Sequence, residues 1–339
     1  MSEGPAEVAG CEIEGREQFL REVVAPCRPV VLRGLVSRWP VVEAGGESPA
    51  ALRSYLKLFD SGGQTEAFYG APAIDGRYFY SDDLRSFNFE RRRTTFTAAL
   101  DGMLAALEHA GSPTIYMGSV PIDDYLPGFA AQNALAVLPG VAGRIWLGHA
   151  ANISPHYDAF DNLACVVAGR RRFTLYAPET IAQLYVGPID NTMAGQPVSL
   201  AASAVPPDDV RFPRFREVRD SALIAELGPG DALYLPKLWW HKVESTAPLN
   251  ALVNYWWDAF SAGPDAPYTS LLLSMITIAE RPPVERLAWR AFFDHYVFRP
   301  NGHPLAHLPE SEHGLLGPLQ PDNYGRIRAR ILHLLRGGR

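Results

Sequence analysis

Residues 163–176 read LACVVAGRRRFTLY, in which the apolar, β-rich runs Leu163–Ala168 and Arg172–Tyr176 flank Gly169. Short runs of this kind between turn residues are typical of strands in the core of a sheet. Similar runs recur from Pro113 to about Trp257: Thr114–Met117, Arg144–Leu147, Ala232–Leu235, Trp239–Val243 and Leu249–Trp257. The pattern predicts a β-sandwich or barrel core.

Helical patterns precede and follow this β-rich part. Before it lie Arg16–Val24, a helix start at Ser48 with proline at the first helical position, and Phe96–His109. After it lie Tyr268–Ala279, Val284–Phe298 and Tyr324–Leu335. The sequence therefore predicts an all-β core with helical decorations at both ends.

The predicted organisation is one decorated domain in three parts. Residues 1–112 form the N-terminal decoration, 113–260 the core, and 261–339 the C-terminal helical region. The core contains a proline-rich insertion, 178–229, and long connections of this kind in compact domains are often functional.

The last predicted helix has a stripe of apolar side chains, which either packs on the core or forms a two-fold seam between copies. Its members are Tyr324, Ile327, Ile331 and Leu334. With the aromatic-rich helix Val284–Phe298, this stripe predicts a homodimer formed through the C-terminal helices.

Composition indicates a soluble globular protein, with 47% hydrophobic and 20% charged residues and a net charge of -6. That charge gives no reason to expect nucleic-acid binding. The N-terminus lacks the features of a signal peptide, and no apolar stretch approaches the ~20 residues that span a bilayer. The three cysteines have no zinc-ribbon spacing and no even pairing, so a reducing cytoplasm is expected.

Two candidate metal ligands lie two positions apart in Ser154-Pro155-His156-Tyr157-Asp158. On an extended segment, residues i and i+2 point to the same side, so His156 and Asp158 can bind one ion. His241 lies 83 residues after Asp158 (241 − 158) and is the candidate third ligand.

This ligand set decides the class of metal. Two imidazoles and one carboxylate on one face leave three positions open, as non-haem iron(II) oxygenases require. A structural zinc site is normally closed by four ligands and usually includes cysteine.

Several ordered motifs resemble the cupin-like Jumonji-C hydroxylases, a family that includes an asparaginyl hydroxylase. They are the entry segment Arg28–Pro40, His156-Tyr157-Asp158, Asn162, Gly169–Phe173 and Gly230–His241. The resemblance covers roughly residues 15–258. It implies a double-stranded β-helix of the cupin or jelly-roll type that uses iron(II), 2-oxoglutarate and dioxygen, with succinate as a product.

The resemblance also implies a cationic partner for the distal carboxylate of 2-oxoglutarate, because an unpaired buried carboxylate is costly. Strand alternation puts Arg171 on the same face as Phe173, whereas Arg170 and Arg172 share the other face. Arg171 is therefore the predicted partner. The asparaginyl hydroxylase has lysine at the matching position, so this chain departs from that relative.

Three further cosubstrate-site residues are implied by the same resemblance: Tyr116, Asn254 and Asn162. Each is also able to satisfy an ordinary hydrogen bond of the barrel. The substrate is left open among small molecules, amino acids and peptides.

Three functions are consistent with the metal-ligand motif. The leading one is a 2-oxoglutarate-dependent dioxygenase, more readily a hydroxylase than a demethylase. The alternative from another class is a noncatalytic metal-binding or 2-oxoglutarate-sensing module. A cupin enzyme that uses iron alone is the third, but it would need neither Arg171 nor Asn254.

Overall fold

A computed structural model of the chain describes residues 6–337 except 82, 110, 194, 262, 264, 319 and 320. The chain divides into two compact units, one ending at Ala259 and one starting at Phe260. The three-part, one-domain division that the sequence suggests stays a prediction.

The described residues form 13 strands, which belong to the first unit. They are β1 Ala6–Glu7, β2 Gly10–Cys11, β3 Val30–Leu32, β4 Gln64–Gly70, β5 Arg77–Tyr78, β6 Phe89–Thr95, β7 Thr114–Pro121, β8 Gly143–His156, β9 Asp161–Ala168, β10 Arg171–Tyr176, β11 Leu223–Leu227, β12 Ala232–Leu235 and β13 Trp240–Trp257. The predicted β-rich core is thus confirmed.

The helices of the first unit are short, as expected for decorations of a sheet. They are α1 Arg16–Gln18, α2 Pro40–Glu47, α3 Pro49–Lys57, α4 Phe96–Leu107, α5 Ile122–Tyr125, α6 Phe129–Gln132, α7 Leu200–Ser203 and α8 Arg216–Arg219. The predicted cap of α3 is present, because Ser48 Oγ accepts a hydrogen bond from Ala51 N at 3.0 Å. The predicted helix at 16–24 differs, since α1 continues as a π-helical turn, Phe19–Val24.

Strand pairing produces the jelly-roll-type core. The main path of neighbouring strands is β2-β3-β12-β9-β13-β8-β7-β4-β6, with β10 joining β13 to β11. The long strands β8 and β13 pair antiparallel over most of their length, with register shifts between His241 and Val243 and between Ser245 and Leu249. Such irregularities bend a strand, so one strand contributes to more than one part of the barrel.

Two large clusters of buried side chains contribute to the core of the first unit. One fills the interior of the barrel with side chains such as Val166, Phe173, Leu233 and Leu252. The other packs the sheet against the N-terminal helices and includes Phe96. Strand β11 lies inside the predicted insertion and pairs with β10 and β1, so the end of that segment is part of the sheet.

His149 belongs to this framework. Its Nδ1 accepts a hydrogen bond from Ile115 N at 3.0 Å, and its Nε2 donates to Met103 O at 2.9 Å. Burial lowers the pKa of His149, in keeping with a neutral ring that joins β7, β8 and α4. These contacts give His149 a structural role.

The second unit is helical in its described part. It contains α9 Pro267–Ile278, α10 Pro283–Phe293 and α11 Pro321–Leu335, with a π-helical turn, Asp294–Phe298, after α10. Asp265 accepts hydrogen bonds from Tyr324 OH at 2.6 Å and Arg328 Nε at 3.0 Å, which attaches the segment before α9 to α11. No helix in the described ranges has the length and apolar character needed to cross a membrane.

The homodimer stays a prediction, with α10 and α11 as the expected seam. Within the stripe of α11, Ile331 is 45% and Leu334 50% exposed. Light scattering at micromolar concentration is expected to give about twice the 37.3 kDa of one chain, and Ile331→Glu is expected to reduce that mass by placing a charge in the seam. A monomer at every concentration would contradict the prediction.

Candidate metal and cosubstrate site

Strand pairing brings the three candidate metal ligands together. His156 is the last residue of β8, Asp158 follows it, and His241 is the second residue of β13. In the antiparallel ladder, His156 and His241 are direct partners. Their rings have centroids 4.3 Å apart, and the possible ligand atoms of the triad all lie within 4.8 Å of one another.

Backbone carbonyls set the tautomer of both histidines. His156 Nδ1 is 2.8 Å from Ser154 O, and His241 Nδ1 is 3.0 Å from Trp239 O. A carbonyl oxygen only accepts, so each Nδ1 carries a hydrogen and each Nε2 is the ring nitrogen left to face a metal ion. Fixing a histidine ligand through its second nitrogen in this way is a common feature of metal sites.

Burial keeps His241 neutral. Desolvation, aided by repulsion from His156, lowers the pKa of His241 to about 4, although Asp158 and the Trp239 carbonyl act in the opposite direction. At neutral pH the Nε2 of His241 can therefore donate its lone pair to a metal ion. The donor set of two imidazoles and one carboxylate fits a divalent ion such as iron(II).

Arg171 is a buried cation with unused hydrogen-bonding groups. It is 3% exposed, and its Nε and Nη2 have no hydrogen-bond partner in the part of the chain that the structure describes. Arg170 and Arg172 are exposed, as the strand alternation predicts. Burial lowers the pKa of Arg171, an effect that the neighbouring Tyr116 side chain opposes. A buried guanidinium that lacks hydrogen-bond partners for some of its nitrogens is a suitable binding group for an anionic ligand.

The triad and Arg171 line the same cavity. Tyr116, Asn162 and Asn254 line it as well, so every sequence-predicted site residue faces one space. The remaining lining is largely apolar and includes Phe68, Tyr78, Phe89, Ile153, Met193 and Val198.

The two asparagines are also bound to each other. Asn254 Nδ2 donates to Asn162 Oδ1 at 3.1 Å, and Asn162 Nδ2 donates to Asp158 Oδ2 at 3.4 Å. Their predicted contacts with 2-oxoglutarate stay predictions, as does that of Tyr116. The hydrogen bonds add a connection to the carboxylate of Asp158, a candidate metal ligand, that the sequence motifs did not indicate.

The sequence motifs did not identify Trp256 as a residue of the site. Its Nε1 donates to Asp158 Oδ2 at 3.0 Å, and its ring lines the cavity. The available signal was its position two residues after Asn254 on a strand, which puts both side chains on one face.

Comparison with known proteins identifies a family pattern and several relatives. A family model described as "Cupin-like domain" matches residues 16–263. The human "Bifunctional peptidase and (3S)-lysyl hydroxylase JMJD7" is 28% identical over 269 residues, which cover 71% of this chain and 80% of that protein.

Two other relatives match over less of their own length. The "Jumonji C domain-containing protein 5" of Drosophila melanogaster is 38% identical over 34% of this chain and 27% of that protein. The "Lysine-specific demethylase JMJ30" of Arabidopsis thaliana is 25% identical over 74% of this chain and 54% of that protein.

Proposed function

Because the chain belongs to the cupin-like, Jumonji-C-related family, we propose that it is an iron(II)- and 2-oxoglutarate-dependent oxygenase. Oxygenases of the Jumonji-C type use these two cofactors. In this chain, His156, Asp158 and His241 would hold the iron. Arg171 would bind the distal carboxylate of 2-oxoglutarate, with Tyr116, Asn162 and Asn254 nearby.

One observation carries the proposal: the Arg171 guanidinium, which has two nitrogens without a partner among the described residues, lines the same cavity as the three candidate metal ligands. A three-ligand site alone would suit divalent-metal enzymes of several classes. Together with the buried cation, it matches a ligand that has a metal-chelating end and a distant carboxylate. A metal-only cupin enzyme would leave the guanidinium without a function.

When bound, iron, 2-oxoglutarate and dioxygen would together supply an oxidant, with 2-oxoglutarate converted to succinate and carbon dioxide. The chain's own contribution is to bind and orient. The two Nδ1–H groups fix the histidine rings, Arg171 would neutralise the carboxylate, and the apolar wall limits water near the metal.

The cavity lining favours hydroxylation of an uncharged carbon centre over demethylation of a lysine side chain. Among the described lining residues, Asp158 is the one carboxylate, and it is a proposed metal ligand. The Phe68 ring lies 5.1 Å from the Arg91 guanidinium, so a cation already occupies that aromatic surface. A lysine ammonium would therefore enter without an evident counter-charge. The substrate would be a small molecule, amino acid or peptide with an apolar reacting group.

A two-step experiment tests the oxygenase proposal. Anaerobic protein with iron(II) and 2-oxoglutarate is expected to develop a metal-to-ligand charge-transfer band, because the cosubstrate chelates the metal. Admission of oxygen is then expected to release succinate. A charge-transfer band without succinate, in the presence of peptides carrying apolar or lysine residues, would favour the noncatalytic sensing module instead.

The same assay separates the substrate classes. Peptides that present leucine, valine or phenylalanine are expected to stimulate succinate release more than matched lysine peptides. Stimulation by the lysine peptides alone would contradict the apolar assignment and leave the oxygenase proposal standing.

A further inference from the structure

The carboxylate of Asp158 is the end of a chain of side-chain hydrogen bonds. Trp146 Nε1 donates to Asn254 Oδ1 at 2.7 Å, Asn254 Nδ2 to Asn162 Oδ1 at 3.1 Å, and Asn162 Nδ2 to Asp158 Oδ2 at 3.4 Å. Trp256 Nε1 donates to the same oxygen at 3.0 Å. We propose that Trp256 is a positioning residue that fixes the Asp158 carboxylate for metal binding, with the two asparagines as its support.

The sheet builds this arrangement from one face of three strands. Asn254 and Trp256 are two apart on β13, so their side chains share a face. Across the ladder, Trp256 pairs with Asn162 of β9, and Asn254 pairs with Arg144 of β8. Trp146 follows Arg144 by two residues on the same strand. Register therefore places the side chains of Trp146, Asn162, Asn254 and Trp256 in the cavity that the candidate metal ligands also line.

Neighbouring side chains hold the indole of Trp256 in place. The Arg144 guanidinium lies 5.7 Å from its ring centroid, and the Trp146 ring meets it edge to face at 5.8 Å. Arg144 Nη1 itself donates to Ser119 O at 2.8 Å. The indole N–H is thus presented to Asp158 by a ring with contacts on more than one side.

Orientation of this carboxylate matters because it has two oxygens and the metal site needs only one. Both N–H groups are directed at Oδ2, and Oδ1 has no hydrogen-bond donor in the described ranges. Charge-assisted hydrogen bonds to a carboxylate are among the stronger ones in proteins. A carboxylate that turns freely would meet the metal less often in the right geometry, or would bind through both oxygens and fill an open position.

This inference rests on the metal site of the proposed function. Loss of a hydrogen-bond partner of a ligand typically weakens metal binding about 10- to 100-fold. Trp256→Phe keeps a ring but removes the donor, so it is expected to weaken iron(II) and cobalt(II) binding by about that factor. Isothermal titration with each metal measures the change. The absorption spectrum of the cobalt(II) form reports altered coordination independently of turnover.

The matched control is Trp257→Phe. Trp257 lies next in the chain but packs near Phe19 and Tyr234, with centroids 6.3 and 6.0 Å away. The control substitution is expected to leave metal affinity and the cobalt spectrum unchanged. Asn162→Ala, which removes the second donor, is expected to weaken binding in the same direction as Trp256→Phe.

Three outcomes are distinguishable. A folded Trp256→Phe protein with wild-type affinity and spectrum overturns the positioning role while the metal triad stands. If Trp256→Phe does not fold, Asn162→Ala with wild-type affinity and spectrum overturns it. If wild type itself binds neither metal, the proposed function fails together with the inference.

Discussion

Replacing Arg171 by alanine is expected to raise the dissociation constant for 2-oxoglutarate by two to four decades. The guanidinium is 3% exposed and has two nitrogens without a partner among the described residues, so the cosubstrate's carboxylate would lose its buried counter-charge. Breaking a buried charge pair by removing one partner costs about 3–5 kcal/mol, which corresponds to that change in affinity. Titration of 2-oxoglutarate into iron-loaded protein gives the value.

Charge and geometry can be separated at this position. Arg171→Lys is expected to recover part of the lost affinity, because an ammonium restores the charge but not the two-pronged contact of a guanidinium. Iron binding is expected to stay nearly unchanged in both variants.

Arg172→Ala is the matched control for Arg171→Ala. Arg172 is one residue away, exposed, and paired with Glu226 at 3.4 Å on the outer face. Its replacement is expected to have little effect, since exposed ion pairs contribute about 0–1 kcal/mol. Equal 2-oxoglutarate affinities for wild type and Arg171→Ala would remove Arg171 from the site.

Thermal stability offers a second readout. A ligand stabilises the state that binds it in proportion to the logarithm of its concentration over its dissociation constant. Saturating 2-oxoglutarate is therefore expected to raise the melting temperature of the iron-loaded wild type. The same concentration is expected to have a much smaller effect on Arg171→Ala.

Removal of any one metal ligand is expected to abolish iron-dependent turnover of 2-oxoglutarate. Each single substitution leaves only two protein ligands: His156→Ala, Asp158→Ala and His241→Ala. The site has no fourth protein ligand among the described residues that could replace the lost one. Iron affinity by titration and succinate release measure the two consequences separately.

His109→Ala provides the control for loss of a histidine. His109 is exposed after the end of α4, where its Nδ1 is 3.1 Å from Ala105 O. Its replacement is expected to leave iron binding and turnover intact. A folded His241→Ala protein that keeps wild-type affinity and turnover would refute the triad.

Local periodicity was enough to predict part of the site. Alternation along a strand puts His156 and Asp158 on one side, and it correctly separates the buried Arg171 from the exposed Arg170 and Arg172. These relations extend over two or three residues. They depend on backbone geometry that any extended segment has, so they can be recognised without knowledge of the partner strands.

The hydrogen bonds to Asp158 were not predictable in this way. Trp256 reaches Asp158 across 98 positions of sequence, and Asn254 reaches Asn162 across 92. A shift of register by one residue would turn each of these side chains to the opposite face. No local pattern selects that register, so the contact between Trp256 and Asp158 could not be predicted from the sequence.

The β-rich core, the flanking helices, the ligand types and the inward direction of Arg171 were all evident from the amino-acid sequence. Only folding decided that His241 faces His156, that the triad and Arg171 line one cavity, and that β11 completes the sheet from inside the predicted insertion. The physical reason is the range of the interactions. Strand propensity and side-chain alternation are local, whereas pairing, register and the irregularities of β13 depend on packing between segments far apart in the chain.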